Sequence, residues 1–304
     1  LLALVGATAG QAVVWYTGQF YALFFLTQTL KVEAQPANLL IAGSLLLATP
    51  FFLVFGRLSD RIGRKRIVLG GCLLAALTYF PIFKAITHFA NPAIAEAVAT
   101  HPVTVLVDPR ACSFQFDPVG KRKLTRSCDV AKAALAKAGV PYANGASPAG
   151  TVATVRVGNV ALAAFEGAGL DTLALKAATE DFNKRLGKIL ADAGYPPKAD
   201  PSRINYVAVL ALLTLLVLYV TMVYGPIAAW LVELFPARIR YTSLSLPYHI
   251  GNGWFGGFLP TVAFALVALT GDIYFGLWYP VGVALLTAVV GGLFLRETRA
   301  DHLT

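Results

Sequence analysis

Two short segments carry charged residues at spacings that suit an ion-pair network. Asp60, Arg61 and Arg64 lie in Gly56-Arg57-Leu58-Ser59-Asp60-Arg61-Ile62-Gly63-Arg64-Lys65, and Glu233 and Arg240 bracket Leu234-Phe235-Pro236 further along. Arginine clamps a carboxylate with paired hydrogen bonds. Asp60 suits a helix end, where it can accept hydrogen bonds, and Gly56 would let two helices approach closely. Glu233 is the obvious partner for the arginines. Bonds of this kind form in one arrangement of helices and break in another; the plainer alternative is a basic cluster that only fixes the orientation of the chain.

A second set consists of polar and aromatic residues inside apolar runs. Gln11, Trp15 and Gln19 recur every four residues with Gly18 alongside, so one helix face offers hydrogen bonds and a flat aromatic wall. Tyr248, His249 and Asn252 fall within about one turn, and Tyr219 and Tyr224 precede a break at Gly225-Pro226 that predicts a bent helix. Such groups are costly in lipid and are expected to face a partner helix or a wet cavity. For the Gln11 face, cavity lining and plain helix-to-helix hydrogen bonding both remain open. Histidine is the side chain suited to proton exchange near physiological pH, so His249 reads either as a proton carrier or solute contact or as a satisfied structural histidine. Gly251, Gly253, Gly256 and Gly257 suit close helix contact better than phosphate binding, because they lie in an apolar run. No metal cluster, phosphate loop or nucleophile elbow is present, so an enzyme is not indicated.

The elements that must position these residues follow from hydropathy. Charged residues make up 13% of the 304-residue chain, about half the share usual in soluble domains, and mean hydropathy is +0.66. A bilayer is the expected solvent. Six runs, residues 1–30, 38–56, 67–89, 205–231, 242–270 and 273–295, reach the roughly 20 apolar residues that a span needs. The net charge of +9 does not point to nucleic acid, because the basic residues collect in the loops. Arg57, Arg61, Arg64, Lys65 and Arg66, then Arg238 and Arg240, then Arg296 and Arg299 all fall on one side, while the opposite short loops carry only Lys31, Glu33 and Asp272. The positive-inside rule makes the basic side cytoplasmic. The first residues carry no signal-peptide pattern; the chain reads as starting inside a helix, as a partial product would.

Residues 92–203 break this pattern, with 14 Lys or Arg and 10 Asp or Glu, the composition of a water-soluble domain placed outside the cytoplasm. Residues 103–107 and 151–157 read as strands, and residues 129–138 and 171–193 as helices, giving a small α+β insert between membrane segments 1–91 and 204–304. Cys112 and Cys128 are the only cysteines outside a span. An oxidising compartment would let them bridge; two free thiols are the alternative, and no ligand set favours zinc. Lys121, Arg122, Lys123 and Arg126 form a basic cluster that suits a solvated loop or a collector of anions.

The Gly56 to Lys65 run resembles the loop between paired helices in the major facilitator superfamily. Residues 10–21, with Gln11, Trp15, Gly18, Gln19 and Tyr21, and residues 240–253, with Arg240, Tyr241, Ser243, Gly251 and Asn252, look like its metabolite:proton symporter branch. Residues 112–118 look like an insert found in some members. The resemblance implies an all-α membrane protein forming the C-terminal six-helix half, helices seven to twelve, of an inner-membrane transporter. It implies symport of a small polar metabolite, an organic acid or zwitterion, with a proton and without a cofactor. Gln11, Trp15, Gln19, Tyr219, Tyr224, Tyr248, His249 and Asn252 would then line the pathway. Gly56, Asp60, Arg61, Gly63, Arg64, Glu233 and Arg240 would form a conformational latch. The partner would be an N-terminal six-helix half, which would hold the coupling carboxylate, since in these runs carboxylates occur only at the edges. A sensor with an outside ligand-binding domain and a sugar porter are the competing readings.

Overall fold

The computed structural model describes residues 1–108, 110–116 and 124–297. Lys121, Arg122 and Lys123 of the basic cluster, Asp117 and Pro118 of the insert segment, and Arg299 lie outside the described residues. Among the described residues the chain is mostly helical with one small sheet, and five helices are long and apolar enough to cross a membrane. They are α2 (Ala34–Ile62), α3 (Arg64–Ala90), α7 (Tyr206–Leu234), α8 (Arg240–Thr270) and α9 (Phe275–Phe294).

The first expected span differs. Residues 4–29, here α1, are helical throughout, but α turns alternate with wider π turns at Leu4–Thr8, Thr17–Tyr21 and Phe25–Thr29, so no stretch forms one long α-helix. Close packing accompanies the irregularity. A Cβ on Gly6 would lie 3.0 Å from the backbone of Gly291 in α9, and one on Gly18 would meet Val220 of α7 at 2.8 Å. On α8, Gly251 faces Thr8 and Gly256 faces Tyr16 with no room for a side chain, whereas Gly253 faces open space. Helix α8 also changes to π turns at Gly251–Gly256. Such turns interrupt regular hydrogen bonding and are frequent at functional sites. In α7 the α-helix stops at Tyr224 and resumes at Ile227, because Pro226 has no N–H to continue the ladder.

Leu46 and Leu53 of α2 are 76% and 80% exposed, as lipid-facing side chains are, while Ala37, Ser44 and Ala48 turn inward. The inner helical core contains Val14, Tyr21, Leu26, Val68, Phe83, Leu213 and Trp230.

Between α3 and α7 the chain folds as α4 (Pro92–Thr100), β1 (Val103–Val107), α5 (Ser127–Ala138), β2 (Ala143–Ala146), β3 (Thr154–Val157), β4 (Val160–Ala163) and α6 (Thr172–Asp192). The sheet order is β2-β1-β3-β4. Strands β1 and β2 are parallel, with α5 as the crossover, and register Thr104 against Ala143; β1–β3 and β3–β4 are antiparallel. Gly158, at φ 54°, begins the two-residue hairpin turn between β3 and β4. The side chain of Asp171 caps α6 by accepting from the Ala174 amide. Val105, Val155, Leu135, Phe182 and Leu186 make a second core. Arg203 grips Glu96 with two bonds of 2.6 and 3.2 Å, which holds the Glu96 carboxyl below the usual range.

Cys112 and Cys128 are joined, with Cα atoms 5.3 Å apart. Asp129 tightens the same corner by accepting from the Ser113 amide and hydroxyl at 2.8 and 2.6 Å. Replacing both cysteines by serine is expected to destabilise the insert by about 3 kcal/mol. Hydrogen exchange of the Val105 and Val155 amides in the whole chain checks this; unchanged protection would contradict it.

Candidate functional site

Three helices bring part of the second residue set together. Gln11 of α1 is fully buried, and its Nε2 donates to Asn252 Oδ1 of α8 at 3.3 Å, with the reverse amide contact at 3.5 Å. Asn252 Nδ2 also donates to the Tyr248 carbonyl at 2.9 Å. The Tyr248 hydroxyl lies 2.9 Å from that of Tyr224 in α7. Tyr224 in turn stacks on Trp15, one turn along α1 from Gln11, with ring centroids 5.7 Å apart. Gln11, Trp15, Tyr224, Tyr248 and Asn252 thus form a continuous seam of amides, phenols and indole. Its groups are neutral donors and acceptors, suited to hydrogen-bonding a small polar molecule once the helices part.

The other three expected members lie elsewhere. Tyr219 points toward α3, where its hydroxyl accepts from Thr78 at 3.0 Å, because α7 turns it to a face opposite a different neighbour. Gln19 is half-buried, and its side chain makes no hydrogen bond among the described residues. His249, one residue beyond Tyr248, is rotated out of the seam by the helical period. It is exposed, pairs through Nδ1 with the Ser245 carbonyl at 2.7 Å, and lines a shallow recess with Tyr241, Thr242 and Leu246.

At the opposite end from the insert, the charged residues assemble around Arg64. Its side chain is 5% exposed and reaches Asp60 at 2.6 Å and Glu233 at 3.2 Å, linking α2, α3 and α7. Glu233 is as buried as Arg64, but Asp60 is 61% exposed, so the Glu233 pair is the one shielded from water. Arg64 Nε is buried without a hydrogen-bond partner. Arg61 is exposed and outside this cluster. Arg240 is also outside it, for its Nε donates to the Phe235 carbonyl at 3.1 Å and braces the turn between α7 and α8.

The expected close approach at Gly56 is not present: a Cβ there would meet nothing within 4 Å. Gly63 carries the constraint instead. Its φ of 108° reverses the chain between α2 and α3, and a Cβ would lie 2.3 Å from the Glu297 carboxyl carbon. Glu297, which the sequence reading did not single out, accepts from the Lys65 amide at 3.0 Å at the start of α3, where a carboxylate is favoured. Lys65 Nζ donates to the Gly292 and Leu295 carbonyls, both at 2.7 Å, and so caps α9. The signal for Glu297 was a lone acid next to Arg296, on the side already crowded with cations.

Among the described residues no group of His, Cys, Asp and Glu could hold a metal ion. Comparison of the chain with protein-family models, with known proteins and with solved structures returns no match.

Glu233→Gln is expected to destabilise the chain by about 3 kcal/mol by leaving Arg64 buried and poorly compensated. Asp60→Asn is expected to cost about 1 kcal/mol or less, since water already screens that pair. Thermal unfolding in one detergent compares the two, and equal losses would contradict this account. Gly63→Ala is expected to cost about 2 kcal/mol through strain at positive φ and collision with Glu297; a stability within about 0.5 kcal/mol of the parent chain, the range of an ordinary surface substitution, would show that the turn tolerates a side chain.

Proposed function

We propose that this chain is the C-terminal half of a major facilitator transporter that moves a small polar metabolite, an organic acid or zwitterion, together with a proton by alternating access. The observation that carries the proposal is the seam where three helices meet, with Gln11 fully buried and Asn252, Tyr248, Tyr224 and Trp15 half-buried around it. Polar groups gathered between apolar helices are costly in lipid and commonly mark a solute pathway. The Arg64 network supports it from the other end, as a latch engaged while that end is closed and released as α2 and α7 separate. On this reading the membrane is the inner one, the insert lies outside the cytoplasm, and an N-terminal six-helix half supplies the facing wall and the proton-coupling carboxylate. The seam contributes hydrogen bonds rather than charge, so this half selects for polar shape while the solute's charge is met by the other half.

The test is uptake of labelled dicarboxylates, tricarboxylates and betaines into vesicles that carry the full reading frame, with and without an imposed proton gradient. Gradient-driven accumulation of one class is expected. Gln11→Leu and Asn252→Leu should each raise the half-saturation concentration about tenfold, as the loss of a buried hydrogen bond with its partner left unpaired implies. Gln19→Leu and His249→Leu, which lie outside the seam, should change it less than threefold by the same reasoning. No accumulation of any class, combined with ligand binding by the insert, would favour a sensor.

A further inference from the structure

The insert is not tethered only by its ends. One short stretch, residues 132–144, spans the outer ends of both helices that carry the Gln11–Asn252 pair. On α8, Lys132 Nζ donates to the Leu269 carbonyl at 3.2 Å, and Asn144 Nδ2 donates to the Leu269 and Thr270 carbonyls at 3.2 and 2.9 Å. The Tyr142 hydroxyl donates to the Ala268 carbonyl, and the Tyr142 amide to that of Gly271 at 3.0 Å. A helix leaves its last four carbonyls without intrahelical partners, and here the insert supplies donors to all four carbonyls from Ala268 to Gly271.

The same stretch grips α1. The Lys137 carbonyl accepts from Lys31 Nζ at 2.5 Å, and Gly139 sits so close to the end of α1 that a Cβ would lie 2.1 Å from the Thr29 carbonyl oxygen. Gly271 makes the matching contact on α8, where a Cβ would lie 2.0 Å from the Tyr142 carbonyl oxygen. Both glycines have positive φ, so each allows backbone against backbone where a side chain would hold the surfaces apart. Lys31 is further tied to the insert by the Ala199 amide, which donates to its carbonyl at 2.9 Å. A domain joined to the bundle only through α3 and α7 has no need of these contacts.

We infer that the insert is a clamp that fixes the separation of the outer ends of α1 and α8 and thereby holds Gln11 and Asn252 in register. Tyr142, Asn144 and Lys132 are positioning residues in this device, with Gly139 and Gly271 as its points of closest approach. Both helices change to π turns along their length, and an irregular helix held at one end only is free to shift its side chains relative to a neighbour. Fixing the far ends removes that freedom. The consequence for ligand binding rests on the reading of the seam as a binding site, but the clamp itself does not.

Hydrogen exchange on the whole chain in lipid nanodiscs tests the clamp independently of transport. In the Tyr142→Phe, Asn144→Ala double variant, amides of residues 266–271 should exchange about tenfold faster, and so should those of residues 246–254 around Asn252, while the sheet amides of Val105 and Val155 stay protected. Faster exchange confined to 266–271, or no change, would overturn the proposal by showing that the contact is not felt at Asn252. Should the double variant lose sheet protection as well, Asn144→Ala alone, whose amide group is exposed, decides by the same comparison. Gly139→Ala forces the α1 contact apart and is expected to speed exchange at residues 9–13; protection there equal to that of the parent chain would also count against the clamp.

Discussion

A polar group without a partner in a medium that cannot hydrogen-bond costs several kcal/mol, roughly 2–7 for an amide or hydroxyl, and that constraint orders this molecule. It accounts for the pairing of Gln11 with Asn252, for the link between Tyr224 and Tyr248, and for Thr8 and Thr287, whose hydroxyls donate to the Pro247 and Val5 carbonyls across helix boundaries. It also explains why small residues accompany the polar ones. Helices must come close for short side chains to reach a neighbouring backbone, and Gly6, Gly10 and Gly251 provide that approach.

The two ends of the bundle solve a second problem, the helix termini, in opposite ways. At the basic end the solution is electrostatic: Lys65 caps α9, Glu297 meets the start of α3, and Arg64 joins α2 to α7. At the other end the solution is a folded domain whose side chains and backbone complete the end of α8. Ion pairs at the edge of a low-dielectric region can exchange partners at modest cost when water enters, whereas a set of backbone-directed hydrogen bonds backed by a separate core is harder to release in part. On the proposed transport reading, the basic end is the one that opens.

Much of this was legible from residue order. Apolar run length located five spans and the composition shift located the insert, because burial in lipid and exposure to water demand opposite compositions. The Arg64–Glu233 pair was legible because few charges border the spans. What escaped had non-local causes. Strand β2 is Ala-Asn-Gly-Ala, with no strand-forming side chain, and exists because parallel pairing with β1 holds it. The π turns of α1 depend on neighbours rather than on local propensity. Gly56 and Gly63 are alike in sequence, and only the chain reversal and the arrival of Glu297 distinguish them. His249 and Asn252 are three residues apart and would share a face of a regular α-helix, but the turns change from α to π at Gly251 between them, and one lies at the surface while the other joins the seam.

The central claim is that the seam, whose Gln11 is fully buried here, opens to water in the proposed transport cycle. Thiol accessibility at Gln11→Cys in lipid vesicles tests it most directly, with Ser202→Cys on the exposed surface of the insert as the reactive reference. The account predicts that a water-soluble maleimide modifies the Gln11→Cys thiol slowly but completely, and that the solute proposed to bind the seam slows the reaction further, since only a hydrated thiolate reacts. Complete resistance at Gln11→Cys while Ser202→Cys reacts would mean that Gln11, Asn252 and their neighbours are a permanent structural seam.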